Sequence, residues 1–277
     1  MALPKRELGH TGVQVSILGL GGEGILRTFG REKEAHQMIN AAIDLGITYF
    51  ESARAYSGSE SYYGGALQDR REEIFLASKS HARDKEGAFA HLRQTLNAMK
   101  TDYLDLWQIH DVRTEEEMEE IFGPDGALQA FVEAKRNGDV RFIGITGHYD
   151  PSVLRRCLQK FHFDTVLMPV NAAEPHDQSF LTEVIPVAVA KHMGIIGMKA
   201  YFRGLAQRIP WYSGMERFFR FALTQPVTSV VIGCDNLMQL SDNAEMARKF
   251  LPMSDKEMTE LIDALAPFAR QLMYYKP

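Results

Sequence analysis

Four side chains of this 277-residue sequence could together move a proton and hold an oxygen: Glu51, Tyr56, Lys79 and His110. Each sits at or just beyond a short apolar run: TYFES precedes Tyr56, IFLASK ends at Lys79, and LDLWQIH ends at His110. Reducing a carbonyl by hydride requires a proton donor at its oxygen, and a phenol with its ordinary pKa of about 10 is a weak donor at neutral pH. An ammonium beside the phenol favours the phenolate, so Lys79 is expected to lower the pKa of Tyr56. Glu51 would keep that lysine charged and oriented, and His110 could donate a hydrogen bond to the substrate oxygen. Singly, each has a plainer reading. A strand-end lysine is usually a surface cation, a histidine after an apolar strand a satisfied core residue, and a loop tyrosine a cap. The combination, in order along successive runs, is what points to chemistry.

The elements that must position these groups follow from the alternation of short apolar runs with longer segments of helical period, the sign of βαβ units and a parallel sheet. Eight strands are predicted, over 16–21, 48–52, 74–79, 104–110, 142–146, 165–170, 195–199 and 229–232. Eight is the number that closes an α/β (β/α)8 barrel, and ~250 residues is its typical length. Ala35, Met38, Ile39, Ala42 and Ile43 form a helical stripe stopped by Gly46. Phe89, Leu92, Leu96 and Met99 form another, and Ala127, Leu128, Phe131 and Ala134 a third, stopped by Gly138. Ahead of the first barrel strand, ELGHTGVQVS (7–16) reads as a β-hairpin that plugs one end. In such barrels the strand C-termini line the site, which is where Glu51, Lys79 and His110 fall. No internal repeat or low-complexity linker interrupts the chain, so residues 1–277 read as one domain.

Composition narrows the partners. A net charge of -5, with the cations dispersed, argues against a nucleic-acid surface. No run approaches the ~20 apolar residues of a membrane span, and no signal peptide is visible at the start. Cys157 and Cys234 have no ligand or redox spacing, which suggests neither a metal site nor a disulfide and fits a reducing cytoplasm. The glycine cluster GLGGEG (19–24) lacks the spacing of a Rossmann dinucleotide fingerprint. A metal-dependent hydrolase barrel using His110, Asp111 and His148 would need an HxH-type ligand cluster, which the sequence does not contain.

Over essentially its whole length the sequence resembles the aldo-keto reductase superfamily. The resemblance rests on LGHTGVQVSILGLG (8–21), GITYFESARAYSGSESYYG (46–64), IFLASK (74–79), YLDLWQIH (103–110) and VRFIGIT (140–146). It implies a catalytic set of Asp, Tyr, Lys and His, here Glu51, Tyr56, Lys79 and His110, acting with a nicotinamide cofactor on a small-molecule carbonyl. Glu51 stands where the family has aspartate, so altered geometry is expected. The implied cofactor site departs further. Thr146 and Gly147, followed by His148, replace a Ser-Asn pair; Leu167 replaces a glutamine, while Asn171 keeps a familiar asparagine. Met198 replaces a stacking tyrosine, and Lys199, Arg203 and Gly204 could meet the diphosphate. Gly22, in the glycine cluster, is counted with them.

After the last strand, Gly233, Cys234 and Asp235, then Gln239 and Asn243, take the place of the cations that clamp a 2′-phosphate. The cofactor is therefore NADP(H) or NAD(H), with NADP(H) ahead only on the family's general habit. Near the C-terminus, Ser254 and Glu257 form a capping box, and a short tail predicts an open pocket with Trp211, Tyr212, Tyr274 and Tyr275 as candidate lining, although packing or oligomer contacts are the more ordinary reading of these aromatics. The alternative function is a regulatory or redox-sensing barrel that binds the nucleotide with little turnover. Substrate, physiological direction and oligomeric state are not encoded in any motif present.

Overall fold

The computed structural model describes residues 2–277. The chain opens with the antiparallel pair β1 (Lys5–Glu7) and β2 (Gln14–Ser16), which matches the predicted hairpin. Its turn contains Gly12 at φ +72, a left-handed conformation that glycine adopts without a Cβ penalty. Eight further strands follow: β3 (Leu18–Gly24), β4 (Tyr49–Glu51), β5 (Phe75–Ser80), β6 (Leu104–Ile109), β7 (Val140–Thr146), β8 (Thr165–Pro169), β9 (Gly194–Met198) and β10 (Ser229–Cys234). They pair in parallel and close into a barrel in the order β10-β3-β4-β5-β6-β7-β8-β9. All eight predicted strands are present, with ends that move by up to a few residues.

The hairpin seals the N-terminal end of the barrel. Leu8 and Val15 are wholly buried and pack against Tyr49, Phe75, Leu106 and Ile196 from the interior faces of β4, β5, β6 and β9. Apolar filling of one end leaves the strand C-termini as the end where polar groups collect.

Outside the strands, the helix Glu32–Asp44 buries Ala35, Met38, Ile39, Ala42 and Ile43 against the barrel, the stripe its sequence period predicts. The helix Ala127–Asn137 likewise stops at Gly138, whose φ of +86 forms a left-handed C-cap. Asp255–Leu265 begins with the capping box of Ser254 and Glu257. That helix packs with the segment after β9 in a second apolar cluster around Phe202, Phe218, Phe221 and Leu261. Trp211 and Tyr212 belong to this cluster, with rings stacked at 6.4 and 6.5 Å from that of Phe218. Both are partly buried against this cluster, which agrees with the packing reading of these aromatics. Among the described residues no helix is long and apolar enough to cross a membrane.

Candidate active site

Because β4, β5 and β6 are neighbours in the barrel, the C-terminal residues of all three meet at one rim. Lys79 Nζ donates to Glu51 Oε1 and to the Ser52 carbonyl, each at 2.9 Å. Both side chains are buried, with Lys79 1% and Glu51 4% exposed. An ammonium has three donors, so one remains free. The ammonium stands over the Tyr56 ring, 5.0 Å from its centroid. The His110 ring meets the Tyr56 ring edge-on at 5.8 Å. The four predicted catalytic residues are thus brought together.

Gly22 makes room for this arrangement. A Cβ there would stand 2.7 Å from Tyr56 Cδ2 and 3.0 Å from the Glu51 carbonyl, so the Tyr56 ring rests directly on the β3 backbone. Glycine is the residue that permits such a close approach.

The electrostatics differ in one respect from the sequence expectation. Burial pushes the Tyr56 phenol above its usual pKa and outweighs the opposing pull of Lys79, so the expected lowering is corrected. Burial works against the charge on Lys79, yet Glu51 and Tyr56 hold its pKa above the ordinary value. Burial, followed by the charges of Lys79 and His148, presses His110 well below 6.5 and keeps the imidazole neutral. Its Nδ1 is buried without a hydrogen-bond partner.

The predicted cofactor residues are dispersed around the same rim with unequal freedom. Thr146 Oγ1 accepts from the Asp111 N–H at 2.7 Å and retains its own proton to donate. Gly147 packs against Leu154 and Val112. Met198 ends β9, and Lys199 follows at φ +58, opening a segment in which Phe202, Arg203 and Gly204 also have positive φ. Burial lowers the Lys199 pKa to about 8. Arg203 donates to Glu23 Oε2 at 3.2 Å. Gly233 lies against Glu23, where a Cβ would come within 2.6 Å.

Several of the candidates are already engaged. Asn243 donates to Cys234 Sγ at 3.5 Å and accepts from the Tyr201 hydroxyl at 2.8 Å, and both Asn243 and Cys234 are buried. Gln239 folds back on Asp235, accepting its N–H at 2.8 Å. Asn171 gives its amide to the Tyr275 hydroxyl at 3.0 Å, and its oxygen accepts the Ala173 N–H.

Two groups were not anticipated from the sequence. Glu174 is wholly buried after β8 and accepts from Tyr275 at 2.6 Å and Lys276 at 2.9 Å, pinning the C-terminal tail over the rim. Only the pairing of tail aromatics with a lone carboxylate after Asn171 hinted at it. Arg27 was also missed; its guanidinium stacks on the Tyr56 ring, 4.9 Å from the centroid. Among the described residues no group of three His, Cys, Asp or Glu side chains is placed to hold a metal ion.

A closed parallel barrel with this rim defines a class. The Aldo/keto reductase family model matches residues 17–209, and the chain belongs to that family of oxidoreductases. It is 27% identical over 315 residues to the uncharacterized oxidoreductase YqkF of Bacillus subtilis, covering 98% of each chain. It is also 27% identical over 305 residues to L-galactose dehydrogenase of Arabidopsis thaliana, covering 95% of this chain and 94% of that one. The fold matches an aldo-keto reductase from Bacillus halodurans with a TM-score of 0.80 at 21% identity, covering 95% of this chain and 96% of that one. An aldo-keto reductase from Klebsiella pneumoniae in complex with NADPH gives the same TM-score at 18% identity, covering 96% of both chains.

Proposed function

We propose that this protein is a nicotinamide-dependent reductase of aldehydes or ketones in which Tyr56 is the general acid. The observation that carries the reading is the buried Lys79–Glu51 pair beside the Tyr56 ring. At neutral pH the phenol holds its proton, since burial raises its pKa. As negative charge develops on the substrate oxygen, Tyr56 donates that proton, and the fixed ammonium of Lys79 stabilises the phenolate left behind. Glu51 keeps Lys79 charged. Neutral His110 donates a hydrogen bond to the same oxygen and orients the carbonyl. A positioned general acid of this kind contributes roughly 10²–10⁴-fold in rate.

The dinucleotide would supply hydride from nicotinamide C4. The residues present suit its charged end: among the described residues, no carboxylate lies in hydrogen-bond reach of the Lys199 ammonium, and Arg203 stands close by. Lys199 and Arg203 would hold the diphosphate, and the Thr146 hydroxyl is free to donate to the nicotinamide amide. NADPH is placed ahead of NADH because structural neighbours are described in complex with NADPH and NADP. Discrimination is small, since Gln239 and Asp235 bind each other where a phosphate clamp would need cations. The chain acts as one domain, on a small molecule, in a reducing compartment where Cys157 and Cys234 stay free.

A regulatory barrel with little turnover is the second reading, favoured by the commitment of the Asn171 amide to Tyr275. Mixing the protein with reduced cofactor and a panel of reactive aldehydes separates the two. Loss of the reduced-nicotinamide absorbance supports the reductase, and tight binding without that loss supports the regulator.

A further inference from the structure

Arg27 occupies an unusual place for a surface cation. It leaves the short turn after β3 (Ile25–Arg27) and stacks its guanidinium on Tyr56, the group that would face the reacting oxygen. Its ion-pair partner is Glu23, whose Oε1 accepts from Arg27 at 2.7 Å while Oε2 accepts from Arg203 at 3.2 Å. One carboxylate thus serves two guanidinium groups, and the unpaired ammonium of Lys199 is also close enough to feel its charge. The rim beside Tyr56 gathers Arg27, Arg203 and Lys199 around Glu23, with Asp111 also acting on Lys199, so an anion entering there would meet several cations.

A dinucleotide diphosphate, with two negative charges, would take up Lys199 and Arg203 and leave Glu23 as the partner of Arg27. Glu23 holds Arg27 by a single contact and is about one-third exposed, so it can be exchanged for another carboxylate. A guanidinium presents a planar fork that matches a carboxylate with two parallel hydrogen bonds.

The geometry points to Arg27 as a specificity residue that binds a carboxylate on the substrate, and so to short aldehydo or keto acids as the substrate class. The inference rests on the reductase reading above. With the guanidinium 4.9 Å from the Tyr56 ring centroid, a carbonyl oxygen at Tyr56 and a carboxylate at Arg27 would be close enough for a few carbons to span.

The test compares 4-oxobutanoate with its uncharged methyl ester, using the full chain with reduced cofactor. Wild type is expected to show a kcat/KM for the acid that exceeds that for the ester by about 10-fold or more, the scale of one charged pair. Arg27→Gln should bring that ratio close to one. Glu23→Gln, which removes the competing carboxylate, should raise it. A purely structural role for Arg27 would change both substrates alike and leave the ratio in place.

Calorimetric titration of 4-hydroxybutanoate into the protein with oxidised cofactor gives a readout that does not need turnover. Tighter binding to wild type than to Arg27→Gln supports the assignment even if no aldehyde is reduced, in which case only the reductase reading falls. Equal binding, an acid-to-ester ratio near one in wild type, or an Arg27→Gln defect confined to cofactor affinity would overturn it.

Discussion

Glu51 Oε1 accepts from Lys79 Nζ at 2.9 Å, whereas Glu51 Oε2, equally shut away from solvent, has no partner among the described residues. One oxygen of the carboxylate thus holds the lysine and the other is idle. Glu51→Gln would strand a buried ammonium and should cost about 3–5 kcal/mol of stability in urea unfolding. Glu51→Asp keeps the charge and should cost less, with a larger effect on kcat than on KM if the lysine shifts.

Gly22 and Tyr56 make a second, steric prediction. With only 2.7 Å available to a Cβ, Gly22→Ala must displace the Tyr56 ring. A shift of about 1 Å at a catalytic group can cost ~100-fold in rate. Thermal unfolding should change little compared with kcat.

Acid should destabilise the fold through its buried histidines. Burial, opposed in part by Asp111, brings His148 to about 4, and His110 is pressed well below 6.5. For a histidine depressed in the folded state, the unfolded chain takes up protons first, so stability is full above the unfolded pKa of about 6.5 and falls as pH drops from there toward the folded pKa. His148 alone would account for on the order of 3 kcal/mol by pH 4. Urea midpoints measured across that window should fall steadily, and His148→Asn should flatten the slope.

Lys199 predicts the opposite limb. Its ammonium, near pKa 8 because of burial, should lose its proton as pH rises through that value, and dinucleotide affinity should weaken with it. Lys199→Met should bind the cofactor weakly at every pH. The ratio of NADPH to NADH affinity should stay below about 100-fold, or 2.7 kcal/mol.

The barrel was legible in the sequence because each strand is a short apolar run between helical stripes, and packing honours that period. Glu51, Tyr56, Lys79 and His110 were legible because strand ends define one rim. What could not be read is which polar groups satisfy one another across that rim. Asn171 is committed to Tyr275, from the far end of the chain, and Asn243 to Tyr201 and Cys234. The direction of the Tyr56 shift was missed for a related reason: Lys79 was visible in the sequence, but the desolvation of the half-buried phenol that outweighs it is set by tertiary packing.

The central claim is that Tyr56 delivers the proton. Replacing it with phenylalanine removes one hydroxyl and keeps the ring that rests on Gly22. Stopped-flow measurement of reduced-cofactor consumption by Tyr56→Phe, paired with cofactor titration, tests this directly. The account predicts reduction lowered by roughly 10²-fold or more, the scale of a lost general acid, with cofactor affinity nearly unchanged. Reduction at the wild-type rate in that variant would contradict it.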